Sequence, residues 1–261
     1  MFPKLIEING FFLPTYGFLV AVAFLVGLWV TTRLARRTGA NAEVITNLAI
    51  YCALAGIVGA KLFLFLFDAG YYLQNPGEIL SLSTLQAGGV FHGGLILALI
   101  TAIYYMRANK LSGFATADLF APGLALGHAI GRIGCFAAGC CWGSRCDRFW
   151  AVTFTNPHAH DIVGVPLNVP LHPSQLYEAG AELLIFGILY RAIGRPHRPG
   201  SILGLYLVLY SIARFLVEFV RAHEQPLVYG LSLAQWIAAG LFVTGVWLVY
   251  RRRHHQVVAT V

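Results

Sequence analysis

Charge is what this chain has least of. Charged residues make up 11% of it, about half the share of a soluble domain, while hydrophobic residues make up 58%. So little charge cannot cover a water-facing surface, which excludes an ordinary soluble fold and makes lipid the main solvent. In lipid the backbone must satisfy its own hydrogen bonds, so only helices or a closed barrel remain. The apolar runs lack period-two alternation and are continuous over about 20 residues, which excludes the barrel and selects helices. No Ala-x-Ala site follows the first run, and Arg33, Arg36 and Arg37 come after it, so a membrane span is expected there rather than a cleaved signal peptide. Low-complexity tracts, internal repeats and linkers are also missing, and residues 1–261 are expected to form a single membrane-embedded domain of all-α, polytopic class. The net charge of +7 does not imply nucleic acid, because the basic residues sit in short clusters between apolar runs, where they are topology signals.

About seven transmembrane helices are expected, at 15–34, 44–67, 88–107, 117–137, 174–192, 200–221 and 231–250. The fourth carries His128 and Arg132 among glycines and other small residues, which let helices approach closely and imply a central place in the bundle. One side of the membrane receives Arg33, Arg36, Arg37, Arg107, Lys110, Arg191, Arg195, Arg198, Arg251, Arg252 and Arg253, which is eleven; the other receives Lys4, Arg145, Arg148 and Arg221, which is four. The positive-inside rule then places the N-terminus outside and the C-terminus in the cytoplasm. The two longest connections, 68–87 and 138–173, fall on the outer face and are expected to form a small cap, with a β-like run from Phe149 to Phe154. The first ten residues read either as a segment lying along the interface or as disordered.

Four polar groups sit at membrane depth, where a charge costs a few kcal/mol and is usually paired, functional or both. In span six, Tyr210, Arg214 and Glu218 fall at i, i+4, i+8, with Arg221 three further on, making one stripe along a helix face. The stripe is either a self-neutralising pair that stitches the bundle or an anion site in which Glu218 holds the Arg214 guanidinium. The run from Gly131 to Gly143 ends span four with Arg132 among glycines, suited to a phosphate or to an arginine snorkelling to headgroups. Gly88-Gly89-Val90-Phe91-His92-Gly93-Gly94 opens span three, where His92 is a candidate base or a hydrogen-bonded structural residue. His172-Pro173-Ser174-Gln175-Leu176-Tyr177-Glu178 opens span five as a helix start, with Gln175 and Glu178 facing the bundle. Lys61 reads as paired or snorkelling, and Glu182 has no assigned role.

Taken together, F-H-G-G-L at 91–95, G-R-I-G…G…W-G at 131–143, H-P-S-Q-L-Y-E at 172–178 and R-F-L-V-E-F-V-R at 214–221 resemble the prolipoprotein diacylglyceryl transferase family. Tyr16-Gly17 and the run from Gly230 to Gln235 add to the resemblance, which spans nearly the whole chain in order. It implies a bacterial inner-membrane enzyme that moves the diacylglyceryl group of phosphatidylglycerol onto the lipobox cysteine of a preprolipoprotein. A thioether forms and glycerol phosphate leaves. Such chemistry needs a thiolate, a base to make it, and cations on the phosphate. Arg132 and Arg214 would hold the phosphate, His92 would be the base, and Glu218 would orient Arg214. Tyr16 and Tyr210 would supply hydroxyls, and Gly143, His172 and Gln175 would complete the phosphatidylglycerol site. The resemblance implies no metal and no organic cofactor. Its partners would be phosphatidylglycerol, the preprolipoprotein signal peptide and membrane lipids, with no nucleic acid.

The chain departs from the family at Cys135, where Asn is usual, and at Gly139-Cys140-Cys141. A thiol replaces an amide only poorly as a hydrogen-bonding group. Cys52 reads as a core residue of span two. The other cysteines leave three readings open: a structural disulfide such as Cys146 with Cys140 or Cys141, small residues packing at a helix end, or a reactive or metal-binding thiolate set. Their C-x4-C-C-x4-C spacing matches no standard zinc pattern. Two other functions remain open: a phospholipid-dependent transferase with a different thiol acceptor, and a lipid-binding or transport protein without turnover.

Overall fold

The computed structural model describes residues 2–8, 11–81, 84, 89–222 and 227–251. Gly88, Arg252 and Arg253, which entered the reading above, lie outside the described residues. The chain divides into two compact units, residues 1–34 with 117–261, and residues 35–116.

In the first unit a short hairpin, β1 (Lys4–Ile8) and β2 (Phe11–Pro14), leads into α1 (Thr15–Arg37). The paired strands exclude the disordered start and are compatible with a segment lying along the interface. The sequence carries the signal in Asn9-Gly10 between two apolar runs, a dipeptide favoured in two-residue hairpin turns, although those two residues lie outside the described set. The second unit holds α2 (Ala42–Phe67), α3 (Ala69–Gln74), a 3-10 turn (Pro76–Leu80) and α4 (Phe91–Ala108). There α2 and α4 pack backbone to backbone: a Cβ on Gly59 would stand 2.5 Å from the Gly93 carbonyl oxygen, so only glycine allows this approach. Lys61 donates to the Thr84 carbonyl oxygen at 2.5 Å, and half-buried Cys52 to that of Ala98 at 3.6 Å.

The first unit continues with α5 (Gly113–Ala138), α6 (Pro157–Val163), α7 (Ser174–Ala192), α8 (Ser201–Glu218) and α9 (Leu233–Tyr250). Asp118, buried near the start of α5, accepts from the backbone N–H groups of Gly200 (2.6 Å) and Leu203 (2.7 Å), a tertiary cap for the positive end of α8. At the start of α9, Ser232 and Gln235 form a capping box.

Among the described residues, six helices are long and apolar enough to cross a membrane: α1, α2, α4, α5, α8 and α9. The remaining expected span is present as α7 with the expected bounds, but Glu178, Glu182 and Arg191 give it more charge than such a helix carries. Its faces are inverted relative to a water-soluble helix. Ser174, Gln175, Glu178 and Glu182 are buried, while Leu176, Leu183, Leu184 and Ile188 are exposed. A helix that hides its polar face and shows its apolar one is built for lipid, and the chain is a multi-pass membrane protein.

The connection after α5 has a small core of its own, Phe154, Ala159, Val165 and Leu171, against which Phe136 and Trp142 pack. The β-like run expected at Phe149–Phe154 shrinks to β3 (Val152–Thr153), paired with β4 (Pro170–Leu171). Cys146 is buried in this connection, and its N–H donates to the Pro170 carbonyl oxygen.

Candidate functional site

Four helix ends of the first unit carry the site: the end of α5, the start of α7, the end of α8 and the start of α9. Glu178, one turn into α7, lies at its centre. Its Oε2 is 2.8 Å from Nη2 of Arg132, and its Oε1 is 3.3 Å from Nη1 of Arg221 and 3.5 Å from Nη1 of Arg214. Glu218 takes Nη1 of Arg214 at 2.8 Å, across one turn of α8 as the i, i+4 spacing requires. Its other oxygen accepts from the Ser232 hydroxyl at 2.8 Å, which ties the capping box of α9 to the end of α8. Arg132 is fixed from a second side, because its Nε donates to Nε2 of His128 at 3.2 Å. That leaves the imidazole proton on Nδ1, facing Glu182 at 2.8 Å.

The three guanidinium groups are thus aimed by carboxylates and an imidazole, and the named contacts use only part of their N–H donors. A planar, fixed fork with donors to spare is suited to phosphate oxygens. Tyr210, one turn before Arg214, places its ring 5.7 Å from that of His128 and lies within electrostatic reach of Arg132. Tyr16, exposed in the first turn of α1, packs beside Gly134 and is electrostatically coupled to Arg132.

Gly143 joins the cap to this cluster. Its N–H donates to the His172 carbonyl oxygen at 3.0 Å, it forms a bridge with Arg221, and a Cβ on it would stand 2.5 Å from the Val220 oxygen. His172 turns its ring to the Tyr177 hydroxyl at 3.1 Å, and its backbone pairs with Ser144. Gln175 is 0% exposed and donates to the Cys140 carbonyl oxygen at 2.7 Å. His172 and Gln175 shape the turn after α5, and among the described residues their hydrogen bonds go to Tyr177, Ser144 and the backbone of that turn. His92 lies in the second unit, exposed in the first turn of α4 with its ring against Phe91.

The five cysteines are free, so the disulfide reading fails among the described residues. Cys135, Cys140 and Cys141 instead bring their sulfur atoms within 4.8 Å of one another. Hydrogen bonds from Cys135 and Cys140, helped by the charges of Arg221 and Arg132, hold the Cys141 thiol well below its ordinary range. The same contacts with Cys135 and Cys141 push Cys140 up.

Sequence reasoning left Glu178 and Glu182 without a partner, and it placed Arg221 at the end of the span-six stripe with no role in the site. Glu178 had a signal: it lies at the same end of the bundle as Arg132 and Arg214, and a buried carboxylate needs a cation. Nothing in the sequence paired Glu182 with His128.

Residues 3–251 match the sequence profile of the prolipoprotein diacylglyceryl transferase family. Curated relatives named phosphatidylglycerol–prolipoprotein diacylglyceryl transferase include that of Roseobacter denitrificans, 30% identical over 97% of this chain and 96% of the relative. Those of Clostridium tetani (32% identical, covering 95% and 96%) and Methylobacillus flagellatus (33% identical, covering 95% of each) are similar at comparable length. Profile and relatives span the arginine cluster, the capping box and the helix frame alike, and the chain belongs to the prolipoprotein diacylglyceryl transferase family.

Proposed function

We propose that this protein transfers the diacylglyceryl group of phosphatidylglycerol to the lipobox cysteine thiol of a preprolipoprotein, at the outer face of a bacterial inner membrane. The observation that carries the reading is the half-buried set of Arg132, Arg214 and Arg221, aimed by the buried carboxylates Glu178 and Glu218 at one end of the helix bundle. The thiolate sulfur attacks the glycerol carbon that bears the phosphate, the carbon–oxygen bond breaks, and the electron pair leaves on the phosphate of glycerol phosphate. Arg132 and Arg214 hold that phosphate and stabilise its developing charge, because pre-aimed cations need no reorganisation as the charge grows. Glu218 orients Arg214, while Tyr16 and Tyr210 offer hydroxyls to the headgroup. Gly143, His172 and Gln175 hold the turn that borders the lipid. His92 is the base for the incoming thiol through its place in the F-H-G-G-L motif. The two units work as one membrane-embedded catalytic domain.

An apolar groove of about 300 Å³, lined by Ile212, Phe215, Leu216, Ala238, Phe242 and Val243, runs beside the helix that carries Arg214 and suits an acyl chain. The excess of basic residues in the short connections supports an outer-face site, an outer N-terminus and an inner C-terminus.

The test is reconstitution. Purified protein with phosphatidylglycerol and a lipobox peptide should form the thioether and release glycerol phosphate, and the gene should rescue cells depleted of their own enzyme. Lipid binding with no turnover in either assay would replace the transferase by a lipid-binding protein. Turnover only with other thiols would change the acceptor, a reading that the cysteine cluster favours.

A further inference from the structure

Three cysteines beside the arginine cluster have no part in the reaction above, and the fold gathers them deliberately. Helix α5 ends in a Schellman turn. Gly139 takes φ 81°, its N–H reaches the Phe136 carbonyl oxygen, and the Cys140 N–H reaches that of Cys135. This turn lays the residue after the glycine against the residue five positions before it, so Cys140 comes to rest on Cys135. Cys141 then takes φ 63°, a left-handed conformation that a non-glycine residue adopts only where its surroundings hold it. Two side chains hold it here. Ser174 Oγ donates to the Cys141 carbonyl oxygen at 2.8 Å, and Gln175 Nε2 to that of Cys140 at 2.7 Å; both residues are 0% exposed.

The result is a fixed triangle of sulfur atoms, all within 4.8 Å of one another, with Cys135 buried and Cys140 and Cys141 half-buried. Thiolates bound to one Zn²⁺ at about 2.3 Å stand about 4 Å apart, which this triangle meets with little motion. Three thiolates around a divalent ion carry one net negative charge. Arg132 and Arg221, within electrostatic reach of Cys141, balance it in a partly buried site.

We propose that Cys135, Cys140 and Cys141 bind one Zn²⁺ through three thiolates and leave one coordination position open for an incoming thiol. The second half of this proposal rests on the transferase reading. A thiol that coordinates the ion loses its proton to a base or to bulk water and remains nucleophilic as a metal-bound thiolate. Its sulfur bonds to the glycerol carbon, the carbon–oxygen bond breaks with its electron pair going to the phosphate, and the thioether leaves the ion. No oxidation state changes.

The experiment uses the full-length protein purified in detergent without chelator. Elemental analysis is expected to find about one Zn²⁺ per chain, and Cys135→Ser, Cys140→Ser and Cys141→Ser to lose it while Cys52→Ser keeps it. Replacement by Co²⁺ should give thiolate charge-transfer absorption, and a lipobox peptide should shift that spectrum, whereas its Cys→Ser analogue should not. Absence of metal from the wild type after incubation with Zn²⁺, or a disulfide among these cysteines in the active protein, overturns the site. A Co²⁺ spectrum that ignores the peptide, or thioether formation unaffected by metal removal, overturns the thiol-activating role. If no form of the protein makes thioether, the transferase reading falls, and the wild-type Co²⁺ spectrum still decides the site.

Discussion

Glu178 meets Arg132 at 2.8 Å, the start of α7 against the end of α5, and this largely buried pair is the knot of the site. One carboxylate on α7 reaches guanidinium groups from α5 and from the end of α8 at the same time. Removing it takes from Arg132 the carboxylate at 2.8 Å, while Arg214 and Arg221 keep their contacts with Glu218. Breaking such a buried pair costs about 3–5 kcal/mol, so Glu178→Ala should unfold at clearly lower temperature in detergent and lose most of its activity. Glu178→Gln keeps the shape and one acceptor, and should recover part of the stability without the turnover. Thermal melts and the thioether assay on both variants check this; a wild-type melt for Glu178→Ala would contradict it.

Arg132→Ala and Arg214→Ala should each lower turnover by about 10²–10³-fold, the loss expected when one pre-aimed donor to a developing anion is removed. The lysine variants should stay well below wild type, because an ammonium cannot make the two-point contact of a guanidinium. Single-turnover rates with phosphatidylglycerol measure both. Near-normal turnover in either alanine variant would remove that residue from the phosphate clamp.

Gly143→Ala should fail through packing. Its new methyl would stand 2.5 Å from the Val220 oxygen and 2.6 Å from the His172 Cβ, against backbone that has no room to yield. Overpacking of this kind costs about 1–3 kcal/mol and would pull the Arg221 segment away from Glu178. Lower melting temperature together with weakened phosphatidylglycerol binding is the expected pair of results.

His92→Gln should cost about 10²-fold or more in turnover if the imidazole takes the thiol proton, with lipid binding unchanged. The loss should shrink when the peptide is supplied at high pH, where more of it is already thiolate. A loss of only a few-fold at neutral pH would assign the proton to another acceptor.

Much of this molecule is legible in its sequence. Low charge and continuous apolar runs determine a helical membrane protein, since lipid offers the backbone no other partner. The helix bounds follow from the same runs, and the Arg214–Glu218 contact follows from i, i+4 spacing alone. The α9 cap was legible in Ser232-Leu233-Ala234-Gln235, and the motifs named the family. What lay beyond the sequence is what joins separate helices. No spacing rule connects Glu178 with Arg132, 46 positions away, or His128 with Glu182; each pair meets only because α5 and α7 share one buried face. The cysteines mark the division most clearly. Gly139 in the sequence already specifies a turn that brings Cys140 onto Cys135, because that conformation suits a residue without a Cβ. Cys141 joins them only because Ser174 and Gln175 reach across from α7 to hold its strained turn, and local sequence has no means of encoding a partner thirty or more residues away.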